Sequence, residues 1–336
     1  MNKIELKDLL GLSENSVHSK ELKIINYQYD KLPEEIWNLT QLEKLTLSDC
    51  PNLNQLSNSI GNLTQLNYLT IDNCVSLTEL SESIVKLSQL TCFDIRNCDS
   101  LASLPQSIGC LTQLIGLDII NCSSLTSLPE SLGELTQLIM LNIGYCNSLI
   151  SLPESVSDLT KLTDLTLNGC DSLTFLPKSL GNLNQLEQFN LINCSSLTSL
   201  PESLGNLTQL DELDLSDCSS LKSIPESIGN LTQLKHLSFV NCSSLTSLPE
   251  SIGNLTQLAS LVFGRCQSLT ELPESIAKLT QLTYLGLWEC KSLTKLPESI
   301  SNLTQLTDFD LRGCDSLDQS YWYGVFFGDP FEKFTS

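Results

Sequence analysis

Apolar residues recur along this chain with a fixed period, equal to the step from Cys50 to Cys74, and each period repeats the same order of apolar and polar positions. The period that starts at Leu210 shows the pattern clearly. Its first half, with Leu210, Leu213 and Leu215, alternates apolar and polar residues as a half-buried strand does. Apolar residues three and four apart then follow Pro225, and a proline suits the first turn of a short helix. One period is therefore predicted to be a strand, a turn and a short helical or 3-10 segment.

The cysteines follow the same period of twenty-four. Twelve of the 14 are evenly spaced, at Cys50, Cys74, Cys98, Cys122, Cys146, Cys170, Cys194, Cys218, Cys242, Cys266, Cys290 and Cys314. Disulfide frameworks and metal sites use uneven, clustered spacings, and the chain has no CxxC. A fixed period of this length is typical of a solenoid, whose units bury their apolar edges only by stacking.

The twelve periodic cysteines, called here the cysteine ladder, are predicted to be buried, structural and reduced. A buried thiol behaves as a small hydrophobe that donates weakly to carbonyl groups. Twelve free thiols are best tolerated in a reducing compartment, which favours the cytoplasm. Cys92 and Cys110 lie outside the ladder. If any thiol is reactive, we expect it to be one of these two, although incidental substitution is the simpler interpretation.

The repeat LxxLxLxxCxSLTxLPxSIxxLTQ resembles the leucine-rich repeat family over residues 22–317. It is similar to the repeats of plant intracellular immune receptors and of Ras-group-related leucine-rich proteins, in a variant with two residues between Cys and the next Leu. The resemblance implies an α/β leucine-rich-repeat solenoid, or horseshoe. Its parallel sheet would line the concave side, and its short helical or 3-10 segments the convex side.

Three regions follow from the repeat frame. Residues 1–21 are predicted to be an N-terminal cap, residues 22–317 a partial repeat and twelve full repeats, and residues 318–336 an aromatic C-terminal cap. In the partial repeat, Leu22 and Ile24 are one residue out of frame, and Asn26 stands where later repeats place Cys. An end repeat exposes an apolar face that the aromatic tail could cover, with a docking motif as the alternative.

Composition and motifs exclude several classes of function. The chain has 18 Lys+Arg against 39 Asp+Glu, a net charge of −21, so a nucleic acid would be repelled. No apolar run approaches the roughly 18 residues of a membrane span, and the start MNKIELKDLLGL lacks the apolar core of a secretory signal. The chain has no GxxxxGK[ST], GxGxxG, HExxH or GxSxG motif and only two histidines. We expect no enzyme activity, no cofactor and no metal.

The outward strand positions carry the candidate binding site. The third strand position shows ten residue types in twelve repeats, whereas the Gln that ends the helical part is kept in eleven. Such variation favours a recognition surface, although drift at exposed positions is an alternative. Arg, Tyr and Trp are frequent hot spots, and acidic and basic patches alternate here, which predicts a protein partner of mixed charge. The candidate concave-face residues are Tyr68, Arg96, Tyr145, Asp164, Asp211, Glu212, Asp214, His236, Arg265, Tyr284, Trp288 and Arg312.

A row of glutamates lies elsewhere in the repeat. The residue after the proline position is Glu in nine of twelve repeats. Such a like-charge row opposes aggregation, so we assign it to solubility.

These observations predict a non-catalytic protein-interaction module or scaffold, monomeric and cytoplasmic. The resemblance implies intracellular signalling or immune-type recognition. A secreted pathogen effector that binds a host protein, the recognition part of a larger complex, and a structural repeat protein without a dedicated partner remain as alternatives.

Overall fold

The structure is a computed structural model that describes residues 20–327. Most of the predicted N-terminal cap and the last nine residues of the aromatic tail lie outside the described residues. The chain forms two compact units, the first ending at Asp171 and the second beginning at Ser172.

The first unit contains a parallel sheet of seven strands. Each strand pairs with the next along the chain, and in the register of the full repeats Leu45 faces Leu69, the equivalent residue of the following repeat. These strands are β1 (Glu21–Ile25), β2 (Lys44–Ser48), β3 (Tyr68–Asp72), β4 (Cys92–Arg96), β5 (Gly116–Ile120), β6 (Met140–Gly144) and β7 (Asp164–Thr166).

The second unit repeats this arrangement with six shorter strands, again parallel and in chain order. They are β8 (Gln188–Asn190), β9 (Glu212–Asp214), β10 (His236–Ser238), β11 (Ser260–Val262), β12 (Tyr284–Gly286) and β13 (Asp308–Asp310). The predicted leucine-rich-repeat architecture is therefore confirmed in both units.

Short 3-10 helices return the chain from one strand to the next. In the first unit they span Glu34–Asn38, Asn58–Asn62, Glu82–Lys86, Gln106–Cys110, Glu130–Glu134 and Glu154–Asp158. In the second unit they span Leu180–Asn182, Glu202–Asn206, Glu226–Asn230, Glu250–Asn254, Glu274–Lys278 and Glu298–Asn302. Such short segments suit the tighter i to i+3 hydrogen bond, as between the Ile228 N–H and the Pro225 carbonyl at 3.1 Å. The proline lies one residue before the helix, as its N-cap, and not in its first turn.

Capping of these helices depends on the neighbouring repeat. A proline has no side-chain acceptor, and the glutamate that follows the proline of one repeat accepts a hydrogen bond from a backbone N–H in the next repeat. Ser57 and Ser81, which replace proline in two repeats, cap their own helices by accepting from the N–H groups of Ser59 and Ser83. The glutamate row, which the sequence assigned to solubility, thus also joins successive repeats.

The core of each unit consists of the inward strand residues, the cysteine ladder and the leucines of the turns and helices. All twelve ladder cysteines are fully buried and none is in a disulfide. Most of their thiols donate to a carbonyl of the preceding repeat, as Cys242 Sγ does to Leu215 O at 3.1 Å. Phe239 and Phe263 stack beside the ladder, with ring centroids 5.2 Å apart. The predicted structural role of the ladder is confirmed.

The strand register corrects the alignment of the partial repeat. β1 pairs Leu22 with Leu45 and Ile24 with Leu47, a spacing one residue shorter than that of the full repeats. Tyr27, which is buried, therefore takes the position of the ladder cysteine, and exposed Asn26 takes the position before it. Counting back by the full period from Cys50 places Asn26 in the ladder position. The partial repeat is one residue shorter, and the period alone does not show where that residue is missing.

A helix follows the last strand. This helix, α1 (Gln319–Phe327), carries a buried Trp322, and its Phe326 ring packs edge-on against Phe309 of β13 at 4.9 Å. Within residues 20–327, no helix is long and apolar enough to cross a membrane.

Candidate functional site

The candidate site lies on what is called here the strand face: the outward residues of each strand and the residues beside it, up to the ladder cysteine. All twelve predicted site residues lie on this face and none is part of the core. In the first unit these are Tyr68, Arg96, Tyr145 and Asp164. In the second unit they are Asp211, Glu212, Asp214, His236, Arg265, Tyr284, Trp288 and Arg312.

The residue directly before the ladder position has an unusual backbone conformation. It has positive φ in most repeats, and in most of these it is Asn, Asp or Gly, the residues that tolerate this region best. Three other residues adopt it, namely Tyr145 with φ 57°, Arg265 with φ 63° and Glu289 with φ 57°. Backbone strain of this kind is concentrated at functional sites. The sequence selected Tyr145 and Arg265 but missed Glu289.

Arg265 and Glu289 form an ion pair between neighbouring repeats. Arg265 Nε donates to Glu289 Oε2 at 3.0 Å, and the Arg265 N–H donates to the carbonyl of Trp288 at 2.7 Å. Both side chains are about half exposed. The pair therefore fixes two strained residues beside Trp288 and neutralises the arginine, which the sequence took as part of a basic patch.

Two glycines support the indole of Trp288. A Cβ atom on Gly264 would lie 2.0 Å from the Trp288 ring, and one on Gly286 would lie 2.6 Å from it. The hydroxyl of Tyr284 would lie 3.0 Å from the same Gly286 position. The indole thus occupies space that a side chain at Gly264 or Gly286 would fill, and we call these two residues the glycine floor. Trp288 and Tyr284 together cover Gly286. We call the group Gly264, Arg265, Tyr284, Gly286, Trp288 and Glu289 the Trp288 site.

Carboxylates of the last strand border the Trp288 site. In the register of β12 and β13, Asp308 faces Tyr284 and Asp310 faces Gly286. Asp310 is bound by Arg312, whose Nε donates to its Oδ1 at 2.9 Å, and this bond lowers the pKa of Asp310. Partial burial, with Asp310 and Asp308 nearby, raises the pKa of Tyr284, so its hydroxyl stays protonated near neutral pH.

An acidic group precedes the Trp288 site in the same unit. Asp211 and Glu212 are exposed, and Asp214 lies beside them on β9. Lys235 is held by Asp211 at 3.5 Å, while His236 is exposed next to it. The sequence predicts an aromatic and basic patch here, formed by Lys235, His236, Arg265, Tyr284, Trp288 and Lys291. Two of its cations, Lys235 and Arg265, are neutralised within the face.

In the first unit, Arg96 is the centre of a charged group. Its guanidinium donates to Asp118, which is only 6% exposed, and lies 3.8 Å from Asp94. Burial raises the pKa of Asp94, and the charge of Arg96 counteracts it. The structure thus places Arg96 in a different unit from the Trp288 site.

Tyr68 and Asp164 also have partners within the first unit. Tyr68 is covered by the Lys44 ammonium group, 4.9 Å from its ring centroid. Asp164 accepts a hydrogen bond from the Thr163 hydroxyl at 2.5 Å. Each of these two residues therefore has a partner other than Arg96.

Tyr145 and a patch of aliphatic residues lie further along the first unit. The Tyr145 ring covers Gly169, where an added Cβ would lie 2.4 Å away. Ile115, Ile139 and Met140 are all more than 40% exposed, and none of these three was selected from the sequence. The sequence could have revealed this patch, because the equivalent positions are polar in most other repeats.

Within residues 20–327, no cluster of three or more His, Cys, Asp and Glu side chains is arranged to hold a metal ion. Grooves lie away from the strand face, by the proline positions. One in the first unit has a volume of about 560 Å³ and is lined by residues that include Ser81, Glu82 and Gln106.

Two family models match the chain. The model of the leucine-rich repeat region matches residues 117–216 and 212–321, which is more than half of the chain. The model of R13L1/DRL21 leucine-rich repeats matches residues 9–74. No curated protein sequence matches the chain significantly.

Solved structures with the same fold include a leucine-rich repeat protein of Leptospira interrogans. It is 27% identical, with a TM-score of 0.58, over 91% of this chain and 86% of that one. The leucine-rich repeat domain of the type III effector XopL is also 27% identical, with a TM-score of 0.60, over 69% of this chain and 79% of that domain. An internalin, InlF of Listeria monocytogenes, shares the fold alone, at 19% identity and a TM-score of 0.59 over 93% and 92% of the two chains. From its repeats, its fold and these matches, the chain belongs to the leucine-rich repeat family.

Proposed function

We propose that this chain is a non-catalytic interaction module that binds a protein partner through the strand face of its second unit, centred on the Trp288 site. The observation that carries the proposal is the glycine floor beneath Trp288. Gly264 and Gly286 leave the space that the indole occupies across two repeats. Glycine in a strand costs stability because it packs no side chain and loses more entropy. A binding function accounts for glycine at both positions despite this cost.

The composition of the Trp288 site supports the same conclusion. Trp, Tyr and Arg are the residues most enriched at binding hot spots, and all three occur here within neighbouring repeats. Arg265 and Glu289 hold strained backbone conformations, which stable structure alone does not require because other repeats place Asn or Asp there. A flat, half-buried aromatic group fixed by its surroundings loses little entropy when a partner covers it.

We place this module inside cells, in signalling or immune-type recognition. The fourteen cysteines, none of which forms a disulfide, support a reducing compartment. The likeness to the XopL domain supports a second candidate, an effector that acts by binding a host protein. Both roles use the same face, and they differ in the source of the partner.

The test compares capture of partners by the full chain and by the variants Trp288→Ala and Tyr284→Ala. The matched control is Phe175→Ala, which removes an exposed aromatic side chain of the second unit away from the strand face. We expect both site variants to lose a partner that the wild type and the control retain, with unchanged thermal unfolding. Binding of the purified partner then gives the affinity. Retention of the partner by Trp288→Ala would contradict the proposal.

A further inference from the structure

The cations on the strand face of the second unit are already neutralised. Lys235 is paired with Asp211, Arg265 with Glu289 and Arg312 with Asp310, at 3.5, 3.0 and 2.5 Å. Each pair joins two residues of the same face. An acidic group of a partner could therefore bind one of these cations only by displacing the carboxylate that is already paired with it.

The carboxylates of the same face are in excess. Eight acidic residues lie on it against these three cations, namely Glu187, Asp211, Glu212, Asp214, Asp217, Glu289, Asp308 and Asp310. Five of them take no part in the three ion pairs. Asp214 and Asp217 are oriented by hydrogen bonds from Ser216 and from Asn241 at 2.8 Å. The field of this face is negative, and it attracts positive groups.

The Trp288 site adds a specific acceptor for a cation. Because the inner side of the indole covers Gly264 and Gly286, its outer side is the one left to a partner. The face of a tryptophan ring attracts ammonium and guanidinium groups more strongly than other aromatic rings do. Asp308, opposite Tyr284 in the strand register, is exposed beside this ring system.

We infer that the partner presents a lysine- or arginine-rich segment to the strand face of the second unit and places one of its cations over the indole of Trp288. This inference rests on the proposed function and replaces the mixed-charge partner expected from the sequence. Alternating patches suggested mixed charge because the sequence did not reveal that Lys235, Arg265 and Arg312 are paired within the face. A segment with two or three further cations would lie along Glu212, Asp214 and Asp217.

A nine-residue arginine peptide is the probe, with a nine-residue glutamine peptide as the neutral comparison. The readout is the indole N–H resonance of Trp288 in the full chain, assigned with Trp288→Phe. We expect the arginine peptide to shift this resonance and leave those of Trp37 and Trp322 in place. The glutamine peptide should shift none of the three.

Two double variants separate site binding from general attraction to an acidic protein. Glu212→Gln with Asp308→Asn removes two charges of the face, and Glu271→Gln with Asp315→Asn removes two exposed charges elsewhere in the unit. We expect the first pair to weaken peptide binding about tenfold at physiological salt and the second by less than about twofold. Equal weakening by both pairs, or an unmoved Trp288 resonance, would overturn the inference.

The same probe distinguishes failure of this inference from failure of the proposed function. If partner capture depends on Trp288 but the arginine peptide does not compete, the interaction module stands and the cationic partner is wrong. If capture does not depend on Trp288, the proposed site itself is wrong.

Discussion

The carboxylate of Glu250 accepts a hydrogen bond from the backbone N–H of Ser275, one repeat further along the chain, at 3.1 Å. The same bond is made by further pairs, namely Glu82 with Ser107, Glu130 with Ser155, Glu202 with Ser227, and Glu226 with Ser251. Each accepting carboxylate caps a 3-10 helix whose own N-cap is a proline. Because that proline contributes no side-chain acceptor, the cap is a contact between repeats.

Replacing Glu250 by alanine should lower the free energy of unfolding by about 0.5–1 kcal/mol, because one helix N-terminus loses its acceptor. Urea denaturation measures the change. The control is Gln106→Ala, which changes the same position of another repeat but removes no carboxylate cap. An equal loss in both variants would show that the hydrogen bond contributes nothing.

The stability that Glu82 provides should depend on pH. Hydrogen bonding by Ser107 lowers the pKa of Glu82 from its ordinary value of 4.5. The folded state therefore prefers the ionised form, and its contribution is present above pH 4.5 and is lost as the pH falls through the lowered pKa. The difference in unfolding midpoint between the wild type and Glu82→Gln should shrink on acidification. A constant difference would contradict this linkage.

Thiol reactivity should follow burial. Burial raises the pKa of Cys98 to about 12 and that of Cys170 to about 11, so little reactive thiolate forms at these two ladder positions near neutral pH. In the native protein we expect fast labelling at exposed Cys110 and slower labelling at Cys92, whose pKa burial also raises. Cys110→Ala should remove the fast phase. Unfolding without reductant should expose fourteen thiols, and a count near two would indicate disulfides instead.

Gly264→Ala should weaken partner binding as strongly as Trp288→Ala, because a Cβ atom at 2.0 Å must displace the indole. The control is Gly144→Ala in the corresponding position of the first unit, where the nearest atom would be 3.4 Å away. Binding and thermal unfolding are measured for both. If Gly264→Ala binds normally, the orientation of the indole does not matter for recognition.

Arg265→Asn should separate stability from binding. Asn tolerates positive φ better than Arg, so the substitution should raise the free energy of unfolding by about 0.5–1 kcal/mol. Loss of the exposed ion pair with Glu289 should lower it by less than about 1 kcal/mol. We expect stability to be retained or raised, and the arginine peptide to bind at least as tightly, because Glu289 is released from its ion pair and the face becomes more negative. A clear loss of stability would show that the ion pair, and not the backbone strain, dominates at this position.

The repeat frame allowed most of the fold to be predicted. The constant period placed the strands, the ladder and the helical returns, because each depends on local alternation and on burial that every repeat shares. The exception was the partial repeat, where a single deletion moved Tyr27 into the ladder position. Side-chain roles were predicted less well, since the glutamate caps depend on distances between neighbouring repeats.

By itself, the sequence determined that this chain must stack repeats, bury its cysteines and expose a variable row of strand residues. Only the tertiary structure decided what those exposed residues form together. It laid Trp288 over glycines from two repeats, paired Arg265 with Glu289 and placed Arg96 in the other unit. The physical reason is that periodicity specifies which side of a repeat a residue faces, whereas contacts between repeats depend on side-chain size, backbone conformation and charge at matching positions of neighbouring repeats.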